Sequence, residues 1–110
     1  MRTFQADPTA AKGWLDGPWL TELPIAVGFA NAALDEAHEH ATITEIFMVG
    51  RGTATARVDD RSVQLGAGYV LVVEPGEVRT IEETSADCLM FVVHVPGSDG
   101  MLGRDKRLLH

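Results

Sequence analysis

The sequence predicts an all-β domain, a sandwich or small barrel, on three observations. After residue 24 the chain breaks into short β-prone segments at close spacing, turn signals separate them, and no segment beyond residue 37 keeps a helical period. Many short strands at such spacing are the pattern of sandwiches and barrels. The length of 110 residues suits one domain, and a hydrophobic fraction of 45% is enough to fill a core.

In chain order, residues 1–24 read as an irregular arm, because Pro8, Gly13, Gly17, Pro18 and Pro24 interrupt any long element. Trp14 and Trp19 fall in this arm and are expected to cover one side or end of the core, or to meet a partner subunit. Strands are expected over 25–33, 37–41, 44–49, 52–58, 61–65, 70–74, 78–83 and 88–95. Asp59-Asp60 joins two of them as a tight hairpin, since Asp tolerates the left-handed conformation better than most residues. Gly66-Ala67-Gly68 and Pro75-Gly76 supply the next turns. The domain is thus expected over 25–97, followed by a tail over 98–110.

Charge and composition narrow the partners. The net charge is −7 and both signs are mixed along the chain, which argues against nucleic acid or anionic lipid as a partner. The one basic run, Gly103 to Arg107, lies in the expected tail and reads as solvated. No apolar stretch approaches a membrane span, and Met1 to Lys12 lacks the pattern of a secretion signal. Cys88 is the sole cysteine, so no disulfide framework exists and a cytoplasmic location is expected. Its place in Cys88-Leu89-Met90-Phe91-Val92-Val93 reads as a buried, inert thiol.

The chemistry concentrates in His38-Glu39-His40 and Glu45. Residues i and i+2 of a strand share a face, so both imidazoles can enter one cavity. A turn through Ala41-Thr42-Ile43-Thr44 would bring Glu45 to them. Two histidines and a carboxylate make a three-ligand set for a divalent metal with open positions.

These residues resemble the motifs of a small single-domain cupin. The first cupin motif runs Gly, five residues, His-x-His, three or four residues, Glu, six residues, Gly. This chain matches it with His38, His40, Glu45 and Gly52, and has Ala32 at the leading glycine. The second runs Gly, five residues, Pro-x-Gly, two residues, His, three residues, Asn. Gly68 and Gly76 match, Glu74 stands at the proline with Pro75 following, Arg79 replaces the third metal histidine, and Glu83 replaces the asparagine. The resemblance spans about residues 25 to 96 and implies an antiparallel barrel of jelly-roll type, a site in its mouth, and a homodimer. Fold alone names no reaction.

Arg79 splits the functional expectation. A guanidinium stays protonated and has no lone pair for a metal. In one reading His38, His40 and Glu45 bind Fe, Zn, Mn, Ni or Cu, while Arg79 holds an anionic group of a small-molecule substrate and Phe47 lines the cavity. In a second, the site is metal-free, Arg79 pairs with Glu45, and the histidines serve an isomerase, epimerase or cyclase as acid and base. In a third, the cavity binds a small ligand without chemistry. His94 has apolar neighbours on both sides, so alternation does not fix its face; it could stand in for the missing histidine, but a rim position is expected. Glu74, Glu77, Glu82 and Glu83 read as solvated charges, with one turning inward as a minor alternative. His110 is expected to be a disordered terminus.

Overall fold

Two five-stranded antiparallel sheets face each other in the computed structural model, which describes residues 1–97 and 106–108. The strands are β1 (Lys12–Asp16), β2 (Ala26–Ala30), β3 (Leu34–His40), β4 (Thr44–Arg51), β5 (Thr53–Val58), β6 (Arg61–Gly66), β7 (Val70–Val73), β8 (Arg79–Thr84), β9 (Leu89–Val95) and β10 (Lys106–Leu108). One sheet has the order β1-β2-β9-β4-β7 and the other β10-β3-β8-β5-β6. This is the all-β jelly roll expected. Consecutive strands β3 and β4 lie in different sheets, which carries the His38/His40 pair and Glu45 to opposite walls of one interior.

The interior follows from alternation. On β4, Glu45, Phe47 and Val49 are buried, while Met48 between them is exposed. On β9, Met90, Val92 and His94 are buried and Val95 is exposed. Ala54 and Ala56 of β5, Leu65 of β6, Val73 of β7 and Ile81 of β8 join Phe47, Val49, Met90 and Val92 in one cluster. Cys88 belongs to that cluster; burial pushes its thiol pKa up, with Asp87 adding to the effect, so the thiolate is disfavoured.

Turn chemistry closes the strands where it was expected. Asp59 adopts φ +53° in the β5–β6 hairpin, and its carboxylate accepts a hydrogen bond from the Val78 amide at 3.0 Å. Gly76 adopts φ +85° and donates its amide to the His40 carbonyl at 2.9 Å. That bond ties the turn before β8 to the strand carrying the histidines, three residues ahead of Arg79.

The two ends of the chain are more ordered than their composition suggested. Lys12–Asp16 of the proline-rich arm pairs with β2, and Lys106–Leu108 of the expected tail pairs with β3 opposite His38, Glu39 and His40. The paired backbone satisfies hydrogen bonds that side-chain patterning does not reveal. The rest of the expected tail, including His110, lies outside the described residues. Among the described residues no helix is long and apolar enough to cross a membrane.

Met90 is fully buried at the centre of the cluster. Met90→Ala should lower unfolding free energy by about 2–5 kcal/mol, read from the urea midpoint, whereas Met48→Ala on the exposed face should cost far less.

Candidate metal centre

Strand register brings five polar side chains together. Glu45 and His94 are direct cross-strand partners on β4 and β9, and His38 and Arg79 are direct partners on β3 and β8. His40 follows His38 on the same face of β3. The two sheets press these pairs against each other. His38, His40, Glu45 and His94 are each 4–5% exposed, and Arg79 is 1% exposed.

Glu45 is the centre of the group. Its Oε2 lies 2.6 Å from His94 Nε2 and 3.8 Å from His40 Nε2, and its Oε1 lies 3.5 Å from Arg79 Nε. An ionised carboxylate only accepts, so His94 Nε2–H is the donor of the short bond. Burial would raise the Glu45 pKa, but the His94 hydrogen bond, the charges of His94 and Arg79, and His40 outweigh it and hold the carboxyl below its ordinary value. Arg79 Nη2 also donates to the Glu74 carbonyl at 3.4 Å, which fixes the guanidinium toward the turn.

The imidazoles form a linked set. His38 and His40 have ring centroids 5.1 Å apart, and His40 and His94 5.0 Å apart, all edge to face. The His40 pKa is held down to about 4. Burial is the main cause; Glu45 pulls the value up, while His94, Arg79 and His38 push it down. His40 is therefore a neutral imidazole at pH 7, the form that ligates metals or accepts a proton.

The arm closes one side. Trp14 packs edge to face on His94 at 4.8 Å and on Trp19 at 5.6 Å. Its cross-strand partner is Gly28, where an added Cβ would come within 2.9 Å of the Trp14 ring. Buried Asp16 anchors the following loop by accepting from the Gly17 amide at 2.9 Å and pairing with Arg2 at 3.0 Å. Trp14 thus covers His94, while Trp19, 37% exposed, packs on Trp14.

Among the described residues, His38, His40 and Glu45 form a group able to hold a metal ion, with one ligand atom from each, all within 4.8 Å of one another. Their chemistry fits a divalent ion of the zinc or iron type. Phe47 sits one alternation beyond Glu45 on the same face and is 1% exposed within the apolar cluster. His94 departs from the rim position expected from sequence. Its pairing with Glu45 sets its parity inward, a long-range register that two apolar sequence neighbours could not reveal. Glu74, Glu82 and Glu83 are exposed and Glu77 is half-buried, in keeping with solvated charges.

A family profile described as "Cupin domain" matches residues 27–95. The chain is a cupin. Solved structures agree on the fold. A variant of Streptomyces Pac13 with uridine aligns at TM-score 0.72 and 12% identity, covering 100% of this cupin and 93% of that chain. KdgF from Halomonas sp. aligns at TM-score 0.67 and 14% identity, covering 82% and 81%. A cupin protein from Bacteroides fragilis aligns at TM-score 0.64 and 20% identity, covering 86% and 85%. No curated protein matches the chain.

The buried groups make metal-free stability depend on pH. Unfolded, His40 takes up a proton below about pH 6.5; folded, it does so only near 4. The unfolded state binds more protons in between, so stability falls as pH drops through this window, by up to about 1.4 kcal/mol per pH unit. Glu45, with its lowered pKa, acts in the same direction below its ordinary value of 4.5. Urea titrations of metal-free protein from pH 7 to 4 should show this decline, and His40→Gln should flatten its upper part.

Proposed function

We propose that this cupin is a small-molecule enzyme whose barrel cavity holds one divalent metal on His38, His40 and Glu45. The observation carrying this reading is the convergence of three buried ligand atoms within 4.8 Å at the spacing of the cupin motif. Fe, Zn, Mn, Ni and Cu all accept this donor set. When bound, such an ion polarises a carbonyl or activates water or dioxygen. The chain's own residues do the rest. Neutral His40 offers its lone pair without first losing a proton, and the strands of two sheets keep the ligands fixed. Arg79, beside Glu45, holds a carboxylate or phosphate of the substrate through its planar fork. Phe47 gives the cavity an apolar floor. The uridine complex of the Pac13 variant supports a small organic ligand for a barrel of this shape.

A second reading, a metal-independent isomerase, epimerase or cyclase, draws support from the Glu45 carboxylate. It already accepts from His94 and faces Arg79, so its charge is compensated without a cation. His40 would then serve as the base. Pac13 itself is described as a nucleoside dehydratase, an elimination that needs proton transfer.

The partner of the barrel is proposed to be a second copy. The outer face of the β2-β9-β4-β7 layer carries two cross-strand rows, Val27–Val93–Ile46–Val72 and Phe91–Met48–Val70, the second ending at buried Phe29. Val70 is 59% and Val72 49% exposed. The rows hold no charged residue, so two chains of net charge −7 can meet there without opposing charges. Sedimentation velocity should give a dimer for the native chain and a monomer for Val70→Glu/Val72→Glu.

Elemental analysis of protein purified without added metal separates the two chemical readings. The metal reading expects about one equivalent in the native protein and little in His38→Ala or Glu45→Ala. Absence of metal, with no uptake on adding any of the five ions, would overturn it. Arg79→Ala should weaken anionic ligands by about tenfold or more and leave neutral ones unchanged; equal losses for both would remove Arg79 from recognition.

A further inference from the structure

We infer that His94 is a fourth metal ligand, so that the last strand supplies the third imidazole displaced from β8 by Arg79. This assignment rests on the metal reading above. Three features of the geometry carry it. First, His94 Nε2 already points at a ligand atom, 2.6 Å from Glu45 Oε2. Adjacent donors at metal–ligand distances near 2.1 Å stand about 3.0 to 3.4 Å apart in octahedral or tetrahedral shells. The 2.6 Å to His94 and the 3.8 Å from Glu45 Oε2 to His40 Nε2 straddle that spacing, so small rotations bring Glu45, His40 and His94 to one ion.

Second, the His40 ring meets both other imidazoles edge to face. The His40 ring is as far from His94, 5.0 Å, as from His38, 5.1 Å. Third, His94 is held for the task from behind. Trp14 packs on its ring at 4.8 Å, and Ala26, its cross-strand neighbour on β2, is wholly buried and small enough to leave the ring in place. His94 Nδ1 is buried with no hydrogen-bond partner among the described residues, so Nε2 is the ring nitrogen whose polar contact lies in the site.

The alternative for His94 is to position Glu45 through a hydrogen bond. Ligation differs in one chemical respect: Nε2 must give up its proton to accept the metal, and the neutral ring then carries its proton on Nδ1. A glutamine at position 94 can keep an amide donor toward Glu45 but lacks the imidazole lone pair.

The test uses Zn²⁺ and Co²⁺ alone as probes. Competition against a chromophoric chelator should show His94→Gln weakening Zn²⁺ by about 100-fold or more, comparable with His38→Gln and His40→Gln, and beyond the usual effect of losing an outer hydrogen bond. The Co²⁺-loaded native chain should give three paramagnetically shifted, solvent-exchangeable imidazole N–H resonances, a count that needs no variant to fold. Two such resonances, with His94→Gln within about threefold of native affinity, would overturn the His94 assignment and leave the three-ligand metal site standing. Failure of the native chain to bind either ion would overturn the metal reading itself, and this assignment with it.

Discussion

The Glu45 carboxylate is the group on which the arrangement of the site depends. A buried ionised carboxylate is costly unless its charge is matched and its lone pairs are satisfied. Glu45 is matched by a hydrogen bond from His94 to one oxygen at 2.6 Å and by the charge of Arg79, 3.5 Å from the other. One partner comes from its own sheet and the other from the opposing sheet, so the carboxylate couples the two layers of the barrel. Removing it would take the opposing charge from a guanidinium that is 1% exposed, a loss on the order of 3–5 kcal/mol for a buried pair. Packing and electrostatics therefore depend on the same residue that the motif marks for chemistry.

The N-terminal arm extends this constraint outward. Trp14 rests on His94, which bonds Glu45, and Gly28 leaves the space that the indole fills. Asp16, held by Arg2 and the Gly17 amide, anchors the far end of the same strand. A segment outside the residues matched by the cupin profile thus helps to set the position of a side chain inside it. Changes in the arm would be felt at the carboxylate through a chain of direct contacts rather than through the barrel as a whole.

Local patterning made most of the fold legible. The alternation of Glu45, Phe47 and Val49 appears as buried residues on β4, and the Asp59-Asp60 hairpin and Pro75-Gly76 turn lie where their dihedral preferences put them. The motif spacing correctly grouped His38, His40 and Glu45. What remained hidden was set by register between strands distant in sequence. The inward face of His94 follows from its pairing with Glu45, 49 residues away. Strand β1 forms in a segment rich in turn residues because β2 offers it a free edge, and no property of Lys12–Asp16 alone requires that.

Charge balance follows from Arg79, which stands where the motif has its third histidine. Glu45 and Arg79 together are neutral, and the imidazoles add ligating lone pairs without adding charge. In an ordinary motif the third histidine would leave Glu45 to offset half of a divalent ion. Here Arg79 cancels that offset, so a loaded site would retain two positive charges within a buried volume. An anion entering with the metal would stabilise such a site further, because uncompensated charge is costly at low dielectric. A third imidazole from β9, as inferred above, would strengthen the hold on an ion but leave the excess charge untouched. Under the proposed metal reading, the arginine that departs from the motif would link the metal and an anionic ligand. Under that reading, metal affinity and anion affinity would be one coupled equilibrium, each raising the other by the same factor.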